Sequence, residues 1–272
     1  MIQEDRTESD TETRTGSGST TMVADRVRFD WDVFGLTHPG KVRQVNEDAL
    51  CMHRNGPLWV VADGMGGHSA GDLASSDIAE AFRLLELPRR LSTFADQAES
   101  TLLDLNAKFR RMADYGKSGI TIGSTVVALM VRDGYGLFLW VGDSRLYRSR
   151  RGRLRQLSQD HSQVEELINQ GVLRREDAET HKAANVITRA VGATDDLYCD
   201  FDYTEVVADD RFLLCSDGLS KELPEQRIAE ILATEQSAES SGRALLAETL
   251  QGRARDNFTL IVATAGTEYR AP

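Results

Sequence analysis

The chain has 272 residues, 40% of them hydrophobic and 28% charged, and a formal net charge of −11. That length suits one large α/β unit that can bury about three-quarters of its unfolded surface, while the acidic balance argues against a nucleic-acid partner, which would need a basic face. No apolar run approaches the roughly 20 residues that span a bilayer, and the N-terminus lacks the basic-then-apolar pattern of a signal peptide, so a cytoplasmic location is expected.

Residues 1–21 hold Ser, Thr, Gly, Asp, Glu and Arg with almost nothing to bury, and read as a disordered tail. Met22 follows at once and is a candidate alternative start. Val27, Phe29, Trp31 and Val33 alternate with Arg28, Asp30 and Asp32, the pattern of a half-buried strand. His38-Pro39-Gly40 turns the chain into Arg43-Gln44-Val45-Asn46-Glu47-Asp48, either a solvated turn or a place to hold phosphate and metal-bound water. A short strand, Ala49 to Met52, comes next. The apolar run Leu58 to Ala62 then reads as a buried strand that stops at Asp63-Gly64-Met65-Gly66-Gly67-His68.

Leu73, Ala74, Ile78, Phe82 and Leu85 recur at helical spacing, and after Pro88 so do Phe94, Ala98, Leu102, Leu105, Phe109 and Met112. Gly116 to Gly123 is expected to be a loop and Ser124 to Val131 a strand. Asp133-Gly134 is a hairpin signal leading to Leu137–Val141, which ends in Gly142-Asp143-Ser144. Arg145, Arg148, Arg150, Arg151, Arg153 and Arg155 fall on a second hairpin around Gly152, read as a solvated face or as a grip on an acidic or phosphorylated partner. Ser162 and Glu165 form a capping box opening a short helix that ends near Gly171. The polar segment beyond it, up to Gly192, is a candidate flap. Phe201 and Tyr203 alternate with Asp200 and Asp202. Phe212–Cys215 ends in Ser216-Asp217-Gly218, helices are expected over Pro224–Thr234 and Ser241–Gln251, and Asp256-Asn257 precedes the run Leu260–Ala263. Three cysteines, Cys51, Cys199 and Cys215, have no metal-like spacing and read as reduced core residues.

Asp63, Asp143, Asp217 and Asp256 thus each flank a buried-looking strand. Acidic strand ends before glycine are also common turns, and any one of them alone reads equally well as structural. Strands lying side by side would bring the four carboxylates to one end of the core, where like charges repel unless something neutralises them. Oxygen-only ligands suit Mg²⁺ or Mn²⁺. Hairpin-type turns among the strands and helices grouped in pairs predict mostly antiparallel sheets covered by helices, a layered α+β domain.

In order and spacing, Arg43 to Asp48, Val61 to Gly67, Gly123-Ser124-Thr125, Val141 to Arg145, Asp160-His161-Ser162, Leu214 to Leu219 and Asp256-Asn257 resemble protein phosphatase 2C, the metal-dependent Ser/Thr phosphatase family, and its compact bacterial branch in particular. The resemblance covers roughly Phe29 to Ala265. It implies a four-layer α/β/β/α sandwich with two central, mostly antiparallel sheets, divided as a tail over 1–25, one catalytic domain over 26–266 and a short tail over 267–272. It also implies hydrolysis of phosphoserine and phosphothreonine in phosphoproteins by a hydroxide bridging two Mn²⁺ or Mg²⁺ ions. Carried over by residue, Asp63 bridges the ions and Gly64 offers its carbonyl to the first. Asp217 and Asp256 hold the second, Glu47 acts through a metal-bound water, and Asp143 with Asp217 holds a possible third ion. Arg43 binds the phosphate, Asp48 orients metal-bound water and Asn257 supports the last ligand.

Where some members carry a general-acid histidine, this chain has Met65, so a metal-bound water is expected to protonate the leaving group. His68 reads as a surface residue and His161 as structural in its turn. Gln163 to Asn185 matches the family's variable flap beside the active site. The expected partners are Ser/Thr-phosphorylated proteins, including a cognate kinase or its targets, and the expected state is a monomer. The alternatives are a catalytically silent phosphoprotein-binding module, which would normally lack one of the aspartates present here, and another two-metal hydrolase such as a nuclease, which the net charge disfavours.

Overall fold

The structure, a computed structural model, describes residues 26–66, 70–115, 121–178 and 180–271. In chain order the elements are β1 (Arg26–His38), β2 (Asp48–Met52), β3 (Leu58–Met65), α1 (Ala70–Leu84), α2 (Leu91–Tyr115), β4 (Gly123–Ser124), β5 (Val126–Arg132), β6 (Tyr135–Val141), β7 (Arg145–Arg150) and β8 (Arg153–Gln156). There follow α3 (Gln163–Asn169), a 3₁₀ turn (Arg175–Asp177), β9 (Asp200–Glu205), β10 (Arg211–Cys215), α4 (Asp217–Ser220), α5 (Glu225–Thr234), α6 (Ala238–Gln251) and β11 (Phe258–Ala271). The expected tail and Met22, the loop over 116–120 and His68 lie outside the described residues.

Two antiparallel sheets form the centre. One has the order β1-β11-β10-β7-β8, the other β2-β3-β5-β6-β9 with β4 attached to the end of β3. The apolar runs owe their continuity to burial on both faces. In β3, Leu58, Val60 and Ala62 pack under α1 and α2 beside Ile78, Phe82, Phe94 and Phe109. Trp59 and Val61, pointing the other way, meet Phe212, Leu214 and Ile261 of the opposing sheet. On that sheet Leu213, Cys215, Leu260 and Val262 turn outward under α5 and α6, against Ile228, Leu232 and Leu245. A strand buried on both faces loses its alternation and reads as a continuous apolar run. The result is the α/β/β/α sandwich.

Several local expectations shift. β3 continues past Asp63 to Met65, because Gly64 and Met65 pair with Ser124 and Gly123, which makes β4 a strand rather than part of a loop. Leu73 is 38% exposed and does not belong to the buried stripe of α1. Ser162 caps α3 by accepting from Glu165 N–H at 3.3 Å, but the Glu165 carboxylate turns to Arg175 at 2.8 Å, so only half of the capping box forms. The complete box is at α6, where Ser237 and Ser240 cap each other and start the helix earlier than its apolar pattern suggests. All three cysteines are free thiols. Among the described residues no helix is long and apolar enough to cross a membrane.

The layer between the sheets should dominate stability. Phe212 is completely buried there, so Phe212→Ala should cost about 3–5 kcal/mol in urea denaturation. Tyr203→Ala, on an exposed position of β9, should stay within about 0.5 kcal/mol. A comparable loss for both would contradict this placement of the core.

Candidate metal centre

Residues 48 and 63 are direct partners in the β2–β3 pairing, so their carboxylates stand on one face, the face that turns toward the opposing sheet. Like charges directly opposite in an antiparallel pair destabilise it, yet Asp48 is buried. Its Oδ2 accepts a hydrogen bond from Ser216 Oγ at 2.7 Å, and Ser216 Oγ in turn accepts from Thr259 N–H at 2.9 Å. Its Oδ1 is buried with no partner. The two sheets are thus joined at this end through an acid.

Around Asp63 the backbone is fixed by the next motif. The Asp63 carbonyl accepts from Thr125 N–H at 2.9 Å and Ser124 Oγ at 3.0 Å, and Asp63 N–H donates to Thr125 Oγ1 at 3.2 Å. Thr125 Oγ1 also meets Ser144 Oγ at 2.7 Å, which ties the Asp63 strand to the turn bearing Asp143. Gly64 lies in tight quarters: its N–H donates to the Glu47 carbonyl at 3.0 Å, and a Cβ there would fall 2.1 Å from the Gly71 carbonyl oxygen. Glycine is what lets the first turn of α1 and the Glu47 loop close on this strand.

Asp143 follows Gly142, whose φ of +108° suits glycine. Gly142 N–H donates to His161 Nδ1 at 3.0 Å, which leaves the ring proton on Nε2, facing Asp200 Oδ2 at 3.0 Å. His161 therefore props the Asp143 turn, and burial lowers its pKa and favours the neutral ring. Asp217 opens α4, a helical turn that no apolar periodicity announced. One turn later Lys221 extends its ammonium to Asp217 Oδ2 and, at 3.4 Å, to Asp143 Oδ2. Asp256 pairs with Arg43 at 3.0 Å across a half-exposed surface. Asn257 holds Asp256 only through its backbone N–H, at 2.9 Å. Its side chain instead secures the Pro39–Glu47 loop, accepting from Glu47 N–H at 2.9 Å and donating to the Pro39 and Val45 carbonyls at 3.1 and 3.0 Å.

The carboxylates share one field. Desolvation lifts the Asp63 pKa well above the usual carboxylate range, and the charges of Asp48, Asp217, Asp143 and Asp256 add to it. Asp48 is pushed up to about 7 by burial, with Ser216 and Thr259 opposing the shift and Asp217 and Asp256 adding to it. Asp143 rises to about 6, again chiefly through burial and then Asp217, with Lys221 pulling the other way. Lys221 stays charged more firmly than usual, because its two acidic partners outweigh the cost of burying it. Among the described residues no three acidic, His or Cys side chains are already drawn together as a finished ligand set, and Arg43 and Lys221 hold part of the acid cluster in ion pairs. Yet the partnerless Asp48 Oδ1 and the raised pKa of Asp63 show carboxyl groups crowded beyond what these two cations offset, groups that ionise more readily once a further cation binds. The donors are all oxygen, the set that hard divalent ions take.

Ser216, Thr259 and Lys221 were not singled out from the sequence. Lys221 had one available signal, its i,i+4 spacing from Asp217. A cavity of about 130 Å³ lies away from these acids, beside α3, lined by Asp160, His161, Glu166, Arg189 and Asp200 among others. The segment expected to form a flap, Gln163 to Asn185, is closed at its base beside His161, where Gln163 N–H donates to the Val186 carbonyl at 2.9 Å and Thr188 N–H to the His161 carbonyl at 2.8 Å. The hairpin arginines divide. Arg145 clamps Asp160 at 2.7 Å and Arg150 clamps Asp210 at 2.6 Å, while Arg151, Arg153 and Arg155 are exposed. The tip of that hairpin, with Arg151 and Arg153, lies roughly 16 Å along β7 from Arg145, while Arg155 pairs with Arg148 about 10 Å along it.

The family model described as "Protein phosphatase 2C" matches residues 38–251. The serine/threonine phosphatase Stp of Listeria monocytogenes is 33% identical over 236 residues, covering 83% of this chain and 92% of its own. Among solved structures, PppA, described as a key regulatory component of the T6SS in Pseudomonas aeruginosa, superposes with a TM-score of 0.81 at 37% identity over 88% of this chain and 99% of its own. The catalytic domain of the phosphatase PstP in complex with two manganese ions superposes with a TM-score of 0.76 at 30% identity over 87% of this chain and 99% of its own. With that fold, those ordered motifs and matches over most of its length, the chain belongs to the protein phosphatase 2C family of metal-dependent serine/threonine protein phosphatases.

Proposed function

We propose that the chain hydrolyses phosphoserine and phosphothreonine monoesters in phosphoproteins with two Mn²⁺ or Mg²⁺ ions held at the mouth of the sandwich. Asp63, the Gly64 carbonyl, Asp217 and Asp256 would hold them, with Glu47 acting through water. The observation that carries this reading is the crowding of carboxyl groups at one end of the sheets, centred on Asp63 and, among the described residues, ion-paired with Arg43 and Lys221 alone. Bound there, the ions supply Lewis-acid charge and lower the pKa of a shared water, making hydroxide available near neutral pH.

The chain's own residues do the rest. Arg43 is half-exposed at the rim and is free to exchange Asp256 for the equatorial oxygens of a phosphoryl group. Asp48 orients the attacking water from a position that Ser216 fixes. Met65 carries no proton, so the leaving oxygen takes its proton from water. The two-ion count is supported by the manganese-bound PstP catalytic domain. A cognate Ser/Thr kinase or its targets as partners, a monomeric state and one catalytic domain over 26–266 complete the reading. The silent-module alternative is disfavoured because Asp63, Asp143, Asp217 and Asp256 are all present.

Purified protein with Mn²⁺ should release phosphate from a phosphothreonine peptide and stop in EDTA. Asp63→Asn and Asp217→Ala should each lower kcat/KM by at least about a hundredfold, with the fold retained by circular dichroism; activity persisting in EDTA would overturn the metal reading. The same crowding sets a pH dependence. Asp48 and Asp143 titrate at about 7 and about 6 in the folded chain, above the roughly 4 of an unfolded carboxylate. Their stabilising protonation is complete below about pH 4 and is lost as pH rises through 6 and 7. In EDTA the melting temperature should therefore fall between pH 5 and 7.5, and Mn²⁺ should restore it at pH 7.5; a metal-free melting temperature that climbs over that range would contradict this electrostatic account.

A further inference from the structure

Lys221 is the basic group set deepest among the acids. It lies one turn after Asp217 on α4, and its ammonium contacts Asp217 Oδ2 and Asp143 Oδ2, the latter at 3.4 Å. The carboxylates it joins come from separate turns, one before β7 and one after β10, and both side chains are largely buried, 8% and 18% exposed. Two close, desolvated carboxylates need a cation between them. Arg43, by contrast, pairs with Asp256 and is half-exposed at the rim. The family resemblance allows a third divalent ion at Asp143 and Asp217. This chain carries a tethered positive charge at the same pair.

We propose that Lys221 is the resident cation of the Asp143–Asp217 pair and takes the place of a third divalent ion there, so that the chain operates with two ions. The proposal rests on the two-ion reading above. Because Asp217 also serves the ion it shares with Asp256, Lys221 sets how strongly that carboxylate is drawn toward Asp143. The tether also removes the need to recruit an ion to this pair from solution, since an i,i+4 side chain is held at high effective concentration.

The test is a Mn²⁺ titration followed by native mass spectrometry and calorimetry on wild type, Lys221→Gln and Lys221→Arg. Wild type and Lys221→Arg should bind two ions. Lys221→Gln should bind a third at least about tenfold more tightly than wild type does, because the competing charge is gone. In EDTA, Lys221→Gln should melt below wild type, and Mn²⁺ should raise its melting temperature by more. A third ion bound equally well by wild type and Lys221→Gln, or by neither, overturns the proposal, as does equal melting in EDTA. If Lys221→Gln fails to fold, wild type alone decides: a third ion bound about as tightly as the first two overturns the proposal, and two ions only support it. If no protein binds any ion, the two-ion reading itself fails, a result distinct from a shared third site.

Discussion

Carboxylate repulsion at the mouth of the inter-sheet layer is the constraint around which this molecule is arranged. Asp48 and Asp63 face each other across one strand pair, and Asp143, Asp217 and Asp256 add their charge from three separate turns. Left alone, such a cluster would push the two sheets apart at that end. The described structure offsets the repulsion in part, through Lys221 between Asp143 and Asp217, Arg43 on Asp256, and Ser216 on Asp48. The relief is incomplete, and in the proposed metal centre the remaining repulsion would favour hard cations.

Holding repelling groups in register requires a stiff frame. Strands with both faces buried supply it, since a shift of one residue would exchange the two apolar faces of β3 and β10. A chain of short polar links then joins the strand ends: Asp63 backbone to Thr125, Thr125 to Ser144, Gly142 to His161, and Ser216 to both Asp48 and Thr259. The Arg43–Glu47 loop is secured the same way by Asn257. The motifs that looked like isolated signatures along the chain prove to be one hydrogen-bonded rim.

Much of this was readable in advance, for a physical reason. Strands buried on both faces write themselves as apolar runs, and an aspartate flanks each of four such runs, so the layers and the four acids were visible, although β3 runs on past Asp63-Gly64 to Met65. What escaped were contacts between residues distant in sequence. Nothing local in Ser216 announces that it hydrogen-bonds Asp48, and nothing in Gly123-Ser124 announces a strand until Gly64 and Met65 are seen alongside. Asp217 starts a helical turn too short to show a period. Asn257 serves the loop more than the neighbouring aspartate, a division of labour that only three dimensions display. Likewise, half of the predicted capping box was taken up by an ion pair between Glu165 and Arg175.

The most direct measurement is a crystal structure grown in Mn²⁺, with anomalous differences collected at the manganese edge. The account predicts two strong anomalous peaks at the mouth of the sandwich, with Asp63 touching both and Asp217 and Asp256 sharing one of them. Peaks absent from that mouth, or carboxylates turned away from each other with no ion between them, would contradict it.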